Sequence, residues 1–186
     1  MSDIHIDFNR LIAEHARRRP DRVAIESPDQ GSRITFAELD RITTRFGHFL
    51  AARGLRAGDR VSVLADNSLE ALLIFWGVLR SGAVVNPINV EIREKNIRQI
   101  LHDVGPKLVL WSRDLSDELR GLGGDEGPWI PFGDHRATAR PADDLWALLP
   151  GLPETPLARS PAPTDLAIIG YTSGTTDTPK GVVCTH

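Results

Sequence analysis

The chain has 186 residues, 41% of them hydrophobic and 25% charged, with a net charge of −3; this is the composition of a globular protein with one sizeable core, and it excludes a collagen-like or disordered chain. Charges of both signs are interspersed, which argues against nucleic acid as the main partner, and the one basic cluster, Arg17-Arg18-Arg19, is read as the end of a helix. A single cysteine, Cys184, excludes an internal disulfide framework, and Cys184-x-His186 is too small for a zinc site, so no metal-ligating set is expected. The amino terminus lacks the basic and apolar stretches of a secretory signal, and the longest apolar run, Ala71 to Val78, is too short for a membrane span. A cytoplasmic protein is expected.

Asp7 caps a first helix whose apolar face is Phe8, Leu11, Ile12 and His15, ended by Arg19-Pro20-Asp21. Val23 to Ile25 and Arg33 to Thr35, separated by the turn-rich Ser27-Pro-Asp-Gln-Gly31, form a hairpin. Thr35-x-x-Glu38 is a capping box, followed by a helix with Phe36, Leu39, Thr43, Phe46 and Leu50 on one face and Gly54 at its close. Val61 to Ala65 is an apolar strand. Ser68 caps the next helix, with Leu69, Leu72, Leu73 and Trp76 facing inward and Gly82 near its end. The strand Ala83 to Val85 runs into Asn86-Pro87, where ladder pairing should stop because proline has no N–H to give. A helix from about Arg93 to Val104, with Ile97, Ile100, Leu101 and Val104 on one face, ends at Gly105-Pro106 and hands over to a strand, Lys107 to Trp111.

Strand, helix, strand, helix, strand is a βαβ series, so the fold class is α/β: a layered, parallel-rich sheet with flanking helices. Gly121 to Gly127 contains Gly121-x-Gly123 but fails the dinucleotide fingerprint: the third glycine falls one residue late, and Pro128-Trp-Ile-Pro131 stands where a helix should start. It reads as a plain loop. Residues 150–163 carry Pro150, Pro153, Pro156, Pro161 and Pro163 and cannot form a regular element. The chain therefore divides into an α/β core over 1–149, a proline-rich connector over 150–163, and a strand, Asp165 to Ile169, that leads into a final segment within 164–186.

That segment, Tyr171-Thr-Ser-Gly-Thr-Thr-Asp-Thr-Pro-Lys-Gly181, is the most specific feature of the chain. Thr172, Ser173, Thr175, Thr176 and Thr178 offer hydroxyl donors, Gly174 and Gly181 let backbone N–H groups approach an anion, and Lys180 adds a mobile positive charge. The chemistry is that of a phosphate cradle. The spacing is not that of a P-loop, because four residues past Gly174 lies Pro179 and the glycine follows the lysine instead of preceding it.

The segment resembles the signature loop of the adenylate-forming, or AMP-binding, superfamily at every position but one: Asp177 stands where the pattern has its second glycine. Ile34-Thr-Phe-Ala-Glu-Leu-Asp40, Gly58-Asp-Arg-Val61 and Leu79-Arg-Ser-Gly-Ala-Val-Val-Asn-Pro87 are similar to further elements of that family, in its order. Asn86-Pro87-Ile-Asn89 looks more like fatty or medium-chain acyl-CoA synthetases than like peptide-synthetase adenylation domains, and the chain is identified as resembling the N-terminal subdomain of the acyl-CoA synthetase fold.

The resemblance implies a two-step reaction: a carboxylate and ATP give acyl-adenylate and pyrophosphate, then the CoA thiol displaces AMP. It implies ATP, Mg²⁺ and CoA as cofactor and co-substrates, a small-molecule carboxylate as substrate, and phosphate contacts from Thr172, Ser173, Gly174, Thr175, Thr176, Lys180 and Gly181. His186 would lie in the vicinity of the acyl-adenylate. The family's adenine-binding segment and catalytic lysine have no counterpart in these residues, so an N-terminal fragment inactive alone is expected, with an apolar edge open to self-association or to a missing C-terminal half. Two alternatives stand beside it: one subunit of a split enzyme, and a non-catalytic nucleotide-binding or interaction protein derived from the family. Asp177 favours the last. A carboxylate about 4 Å from a phosphate charge, at an effective dielectric near 20, is repelled by roughly 4 kcal/mol.

Overall fold

A computed structural model of the chain describes residues 7–116, 119, 121–122, 127–172 and 179–186. The first helix, α1 (Phe8–Arg18), begins where Asp7 accepts from the Arg10 N–H. It buries Ile12 and stacks His15 on Phe36 at 4.7 Å, but Leu11, expected on the inner face, is 41% exposed. Strands β1 (Val23–Ser27) and β2 (Ser32–Thr35) pair as the expected antiparallel hairpin. Helix α2 (Phe36–Ala52) starts at the Thr35/Glu38 capping box, with both reciprocal hydrogen bonds present.

Next come β3 (Arg60–Leu64), α3 (Leu69–Ser81), β4 (Val84–Ile88), α4 (Glu94–Val104) and β5 (Leu108–Ser112). Ser68 caps α3, while Gly82 and Gly105 take the left-handed conformation that ends α3 and α4. The buried side of α3 is Leu69, Leu73, Ile74, Gly77 and Val78; Leu72 faces outward, and Trp76 meets Phe8 of α1 at 5.2 Å. At Gly77 a Cβ would stand 2.5 Å from Phe46 Cδ1, so only glycine lets α3 approach α2 this closely.

The remaining elements are β6 (Trp129–Phe132), the single turn α5 (Leu145–Leu148), β7 (Leu166–Thr172) and β8 (Lys180–Thr185). The six-stranded sheet runs β6-β5-β3-β4-β7-β8, parallel throughout except for β8, which is antiparallel to β7. From β3 the chain moves to β4 on one side and then crosses to β5 on the other, so right-handed crossovers place α3 and α4 on opposite faces. Both faces are therefore covered. One core joins α2, α3 and α5 to Val61, Val63, Leu108 and Leu110; the other joins α4 to Leu64, Ile88 and Val109.

Two expectations are corrected, and two strands are added. β4 does not stop at Asn86-Pro87 but continues through Pro87, which pairs with Val63 of β3. Proline interrupts only the side of the strand that lacks a ladder, and on the β7 side pairing is reduced to Val85 with Ile168. The run Trp129-Ile-Pro-Phe132, to which the sequence assigned no element, is the edge strand β6, where Pro131 is tolerated because a single neighbour, β5, is paired. The strand Asp165 to Ile169 is longer: β7 extends to Thr172, and a further strand, β8, follows with Val182 and Val183 exposed along the sheet edge. The proline-rich connector has no regular element and is strapped onto α2, where Leu157 fills the space over Gly47 and His48 Nε2 lies 2.8 Å from the Thr155 carbonyl.

Candidate functional site

Tyr171 and Thr172 of the phosphate-type motif are the last residues of β7, and Lys180 and Gly181 are the first of β8. The antiparallel register sets Thr172 opposite Lys180 and Tyr171 opposite Gly181. Ser173, Gly174, Thr175, Thr176 and Asp177 lie outside the described residues. Because the two flanking strands are paired, the segment between them leaves and returns at one place, the carboxyl end of β7. That is the end of a parallel sheet at which ligands bind.

Gly181 has a concrete reason to be glycine. A Cβ there would stand 3.2 Å from Tyr171 Cζ and 3.3 Å from its hydroxyl, so the ring lies across the bare backbone of the facing strand. The Tyr171 hydroxyl donates to Asp103 Oδ2 at the end of α4. Burial and that neighbouring carboxylate push the phenol up to about 12, so it remains a donor across the physiological range. Tyr171, Thr172 and Pro179 border a cleft of about 120 Å³ whose other walls are Pro87, Asn89, Ile92 and Asn96. Its side chains come from β4, β7 and α4 and the turn between β4 and α4, a combination that no local motif announces.

His186 is not brought to this place. Its N–H donates to the Asp165 carbonyl, at the start of β7, and it borders a small recess with Asp7, Asn9 and Arg80. At about 3.3 Å per residue, β8 carries it roughly 20 Å from Lys180.

A second strand-end cleft, of about 280 Å³, lies beyond β3, β5 and β6. The chain leaves β3 and β5 in opposite directions there, the topological switch point at which doubly wound sheets bind ligands. Its charge is wrong for a phosphate: Asp66, Glu70, Asp114 and Asp134 line it. Glu70, Asp134 and His135 have side-chain atoms within 4.8 Å of one another, the one such group of potential metal ligands among the described residues. Those atoms are committed internally. Glu70 Oε1 accepts from the His135 N–H and lies 2.6 Å from Nδ1, Oε2 accepts from Gln30, and Asp134 accepts from Arg136. The arrangement is a hydrogen-bonded staple between α3 and the segment after β6.

Burial alone would raise the Glu70 carboxyl, but hydrogen bonds from His135 and Gln30 outweigh it and hold the group at about 2, against 4.5 in an unfolded chain. A depressed pKa stabilises the fold above the unfolded value, and that contribution is lost as pH falls from about 4.5 towards about 2. The shift corresponds to about 3 kcal/mol at most. Urea unfolding at stepped pH is expected to show stability falling across this window, with a shallower fall for Glu70→Gln; parallel profiles would contradict it.

A family model described as "AMP-binding enzyme" matches residues 12–186. The chain is 36% identical over 180 residues to a sulfoacetate–CoA ligase of Cupriavidus necator, covering 95% of this chain and 34% of the ligase. It is 34% identical over 182 residues to phosphinothricin tripeptide synthetase PhsC of Streptomyces viridochromogenes, covering 98% of this chain and 16% of the synthetase. Among solved structures, the inhibitor-bound N-terminal domain of FACL13 from Mycobacterium tuberculosis superposes with a TM-score of 0.82 at 29% identity, over 98% of this chain and 45% of that one. The chain thus spans about a third or less of these two curated relatives.

Proposed function

Because this chain belongs to the AMP-binding enzyme family, we propose that it forms the phosphate-gripping N-terminal part of an adenylate-forming acyl-CoA synthetase. In that reaction a carboxylate oxygen attacks the α-phosphorus of ATP, pyrophosphate leaves, and the CoA thiolate then displaces AMP from the acyl-adenylate. The observation that carries the reading is the β7–β8 register, with Lys180 facing Thr172 at the carboxyl end of a parallel strand and the hydroxyl-rich residues between them.

In this reading Thr172, Ser173, Gly174, Thr175, Thr176, Lys180 and Gly181 hold the triphosphate, with charge neutralised by Lys180 and the Mg²⁺ that accompanies ATP. Tyr171, held by Asp103, keeps the base of the hairpin fixed against α4. His186 takes no substrate role, because it lies at the other end of β8. Residues 1–149 are the supporting core and 150–163 the connector, in a cytoplasmic enzyme whose further half supplies the adenine site and catalytic lysine. Asn86-Pro87-Ile-Asn89 favours the CoA branch over the peptide-synthetase one, and relatives of both branches match the chain.

Calorimetry with Mg·ATP on the full 186-residue chain tests the reading. Measurable binding is expected, weakened about tenfold by Lys180→Ala and tightened about tenfold by Asp177→Gly, which removes a carboxylate from beside the triphosphate. ATP binding that ignores both substitutions would refute it. Pyrophosphate release is not expected from the chain alone with any of a panel of carboxylates, and turnover would overturn the view of it as an inactive part.

A further inference from the structure

Five arginines converge on a pocket of about 410 Å³ that the adenylate reading does not use. They come from three separate places: Arg33 on β2, Arg41 and Arg45 on α2, and Arg136 and Arg140 in the segment after β6. A solvated charge stripe on one helix would not draw guanidinium groups from three elements. Between them the walls are mostly apolar, with Ile34, Ile42, Trp146, Leu149 and Pro150 beside His135.

Three of the arginines are paired with acids: Arg33 with Glu26, Arg45 with Glu154, and Arg136 with Asp134. The donors that remain are specific. Arg45 Nε and Arg140 Nε are buried and donate to nothing among the described residues. Arg41 makes no ion pair or hydrogen bond there, and Arg140 contacts only the His135 carbonyl, through Nη2. Both Nε groups are closed off from solvent and Nη2 of each is taken, so a ligand in the pocket meets these two arginines at Nη1. Glu38 faces the same pocket, and its Oε2 accepts from the Thr35 N–H and hydroxyl.

We propose that this pocket binds a small molecule carrying a phosphate monoester on an apolar body, with Arg41, Arg45 and Arg140 donating to its three terminal oxygens. Guanidinium groups suit phosphate because their forked N–H geometry matches its oxygens, and a monoester carries close to two negative charges at pH 7. A carboxylate offers these three guanidinium groups only two oxygens and one charge. The site is separate from the one at Thr172 and Lys180: Arg136 and Arg140 follow β6 at one edge of the sheet, while β7 and β8 form the other.

Phenyl phosphate, inorganic phosphate and benzoate, titrated at constant ionic strength into the full chain, test the proposal, with the Nε–Hε resonances of Arg45 and Arg140 as readout. Phenyl phosphate is expected to shift both resonances saturably and to bind about tenfold more tightly than inorganic phosphate, the two arms separating an organic monoester from the free ion. Arg41→Gln and Arg140→Gln are each expected to weaken it at least fivefold, while Lys180→Ala leaves it unchanged. Binding that survives both arginine variants, that disappears with Lys180→Ala, or that benzoate matches would overturn the proposal. Arg41 is exposed, so its variant keeps the test valid should Arg140→Gln fold poorly.

Discussion

Replacing Arg80 by alanine is expected to destabilise the fold by about 3 kcal/mol, the low end of the cost of breaking a buried ion pair, because its partner Asp40 is partly exposed. Arg80 is 5% exposed although it carries a full charge, and the site is arranged around it. Its Nε donates to Asn9 Oδ1 at 2.8 Å, and Nη1 donates to Thr43 Oγ1 at 2.7 Å and to the Asp40 carbonyl at 3.3 Å. Asp40 Oδ1 lies 2.9 Å from Nη1 as an ion pair without hydrogen-bond alignment. Asn9 returns a hydrogen bond to the Arg80 carbonyl, so one side chain ties α1 and α2 to the end of α3.

Truncation leaves the Asp40 carboxylate without its partner and opens a void where three helices meet, whereas Arg80→Met should recover part of the loss by refilling the volume. Arg18→Ala is the control. Arg18 and Glu14 form an exposed pair four residues apart on α1, worth about 0.3–0.5 kcal/mol. Urea midpoints decide between them: a loss below about 1 kcal/mol for Arg80→Ala, at unchanged m-value, would mean that the buried arginine is only tolerated.

How much of this was legible in the sequence follows from how local each signal is. The Thr35/Glu38 box, the Ser68 cap and the left-handed Gly82 and Gly105 are set by residues three or four positions apart, and the structure has them where the pattern puts them. Pro87 misled because a proline forbids pairing on one side of a strand only, and which side is paired depends on where β3 and β7 lie. β8 escaped because Val182 and Val183 are both exposed, so the strand shows no alternation to read. At the candidate site the motif from Tyr171 to Gly181 was plain, but Tyr171 meets Asp103 across 68 residues, and the cleft walls and the arginine pocket are likewise assembled only by the fold.

Asn86 joins that long-range organisation to function, and Asn86→Ala is expected to cost about 2–4 kcal/mol, since it strands the buried Ser62 hydroxyl at about 1–3 kcal/mol and the half-buried Ile169 carbonyl at less. The residue is fully buried within β4. Its Oδ1 accepts from Ser62 Oγ on β3 at 2.8 Å, and its Nδ2 donates to the Ile169 carbonyl on β7 at 2.8 Å. Because backbone pairing between β4 and β7 is confined to Val85 and Ile168, this side chain is the second fastening of β7 to the sheet. Its loss should therefore act unevenly. Amide exchange is expected to rise most over 166–172 and 180–185, the two strands that carry the proposed phosphate site, and least in β3 and β5, which keep their own ladder. Asn86→Asp keeps an acceptor for Ser62 but loses the donor to Ile169 and buries a charge, so it should be no milder. If the hairpin grips ATP through its register, Asn86→Ala should weaken ATP binding more than Arg80→Ala does under conditions where both variants remain folded. Arg80 fastens helices α1 and α2 to α3, while Asn86 fastens the strand from which the loop departs. Equal exchange across all strands would show that β7 is held by its apolar contacts, and that Asn86 only satisfies its neighbours.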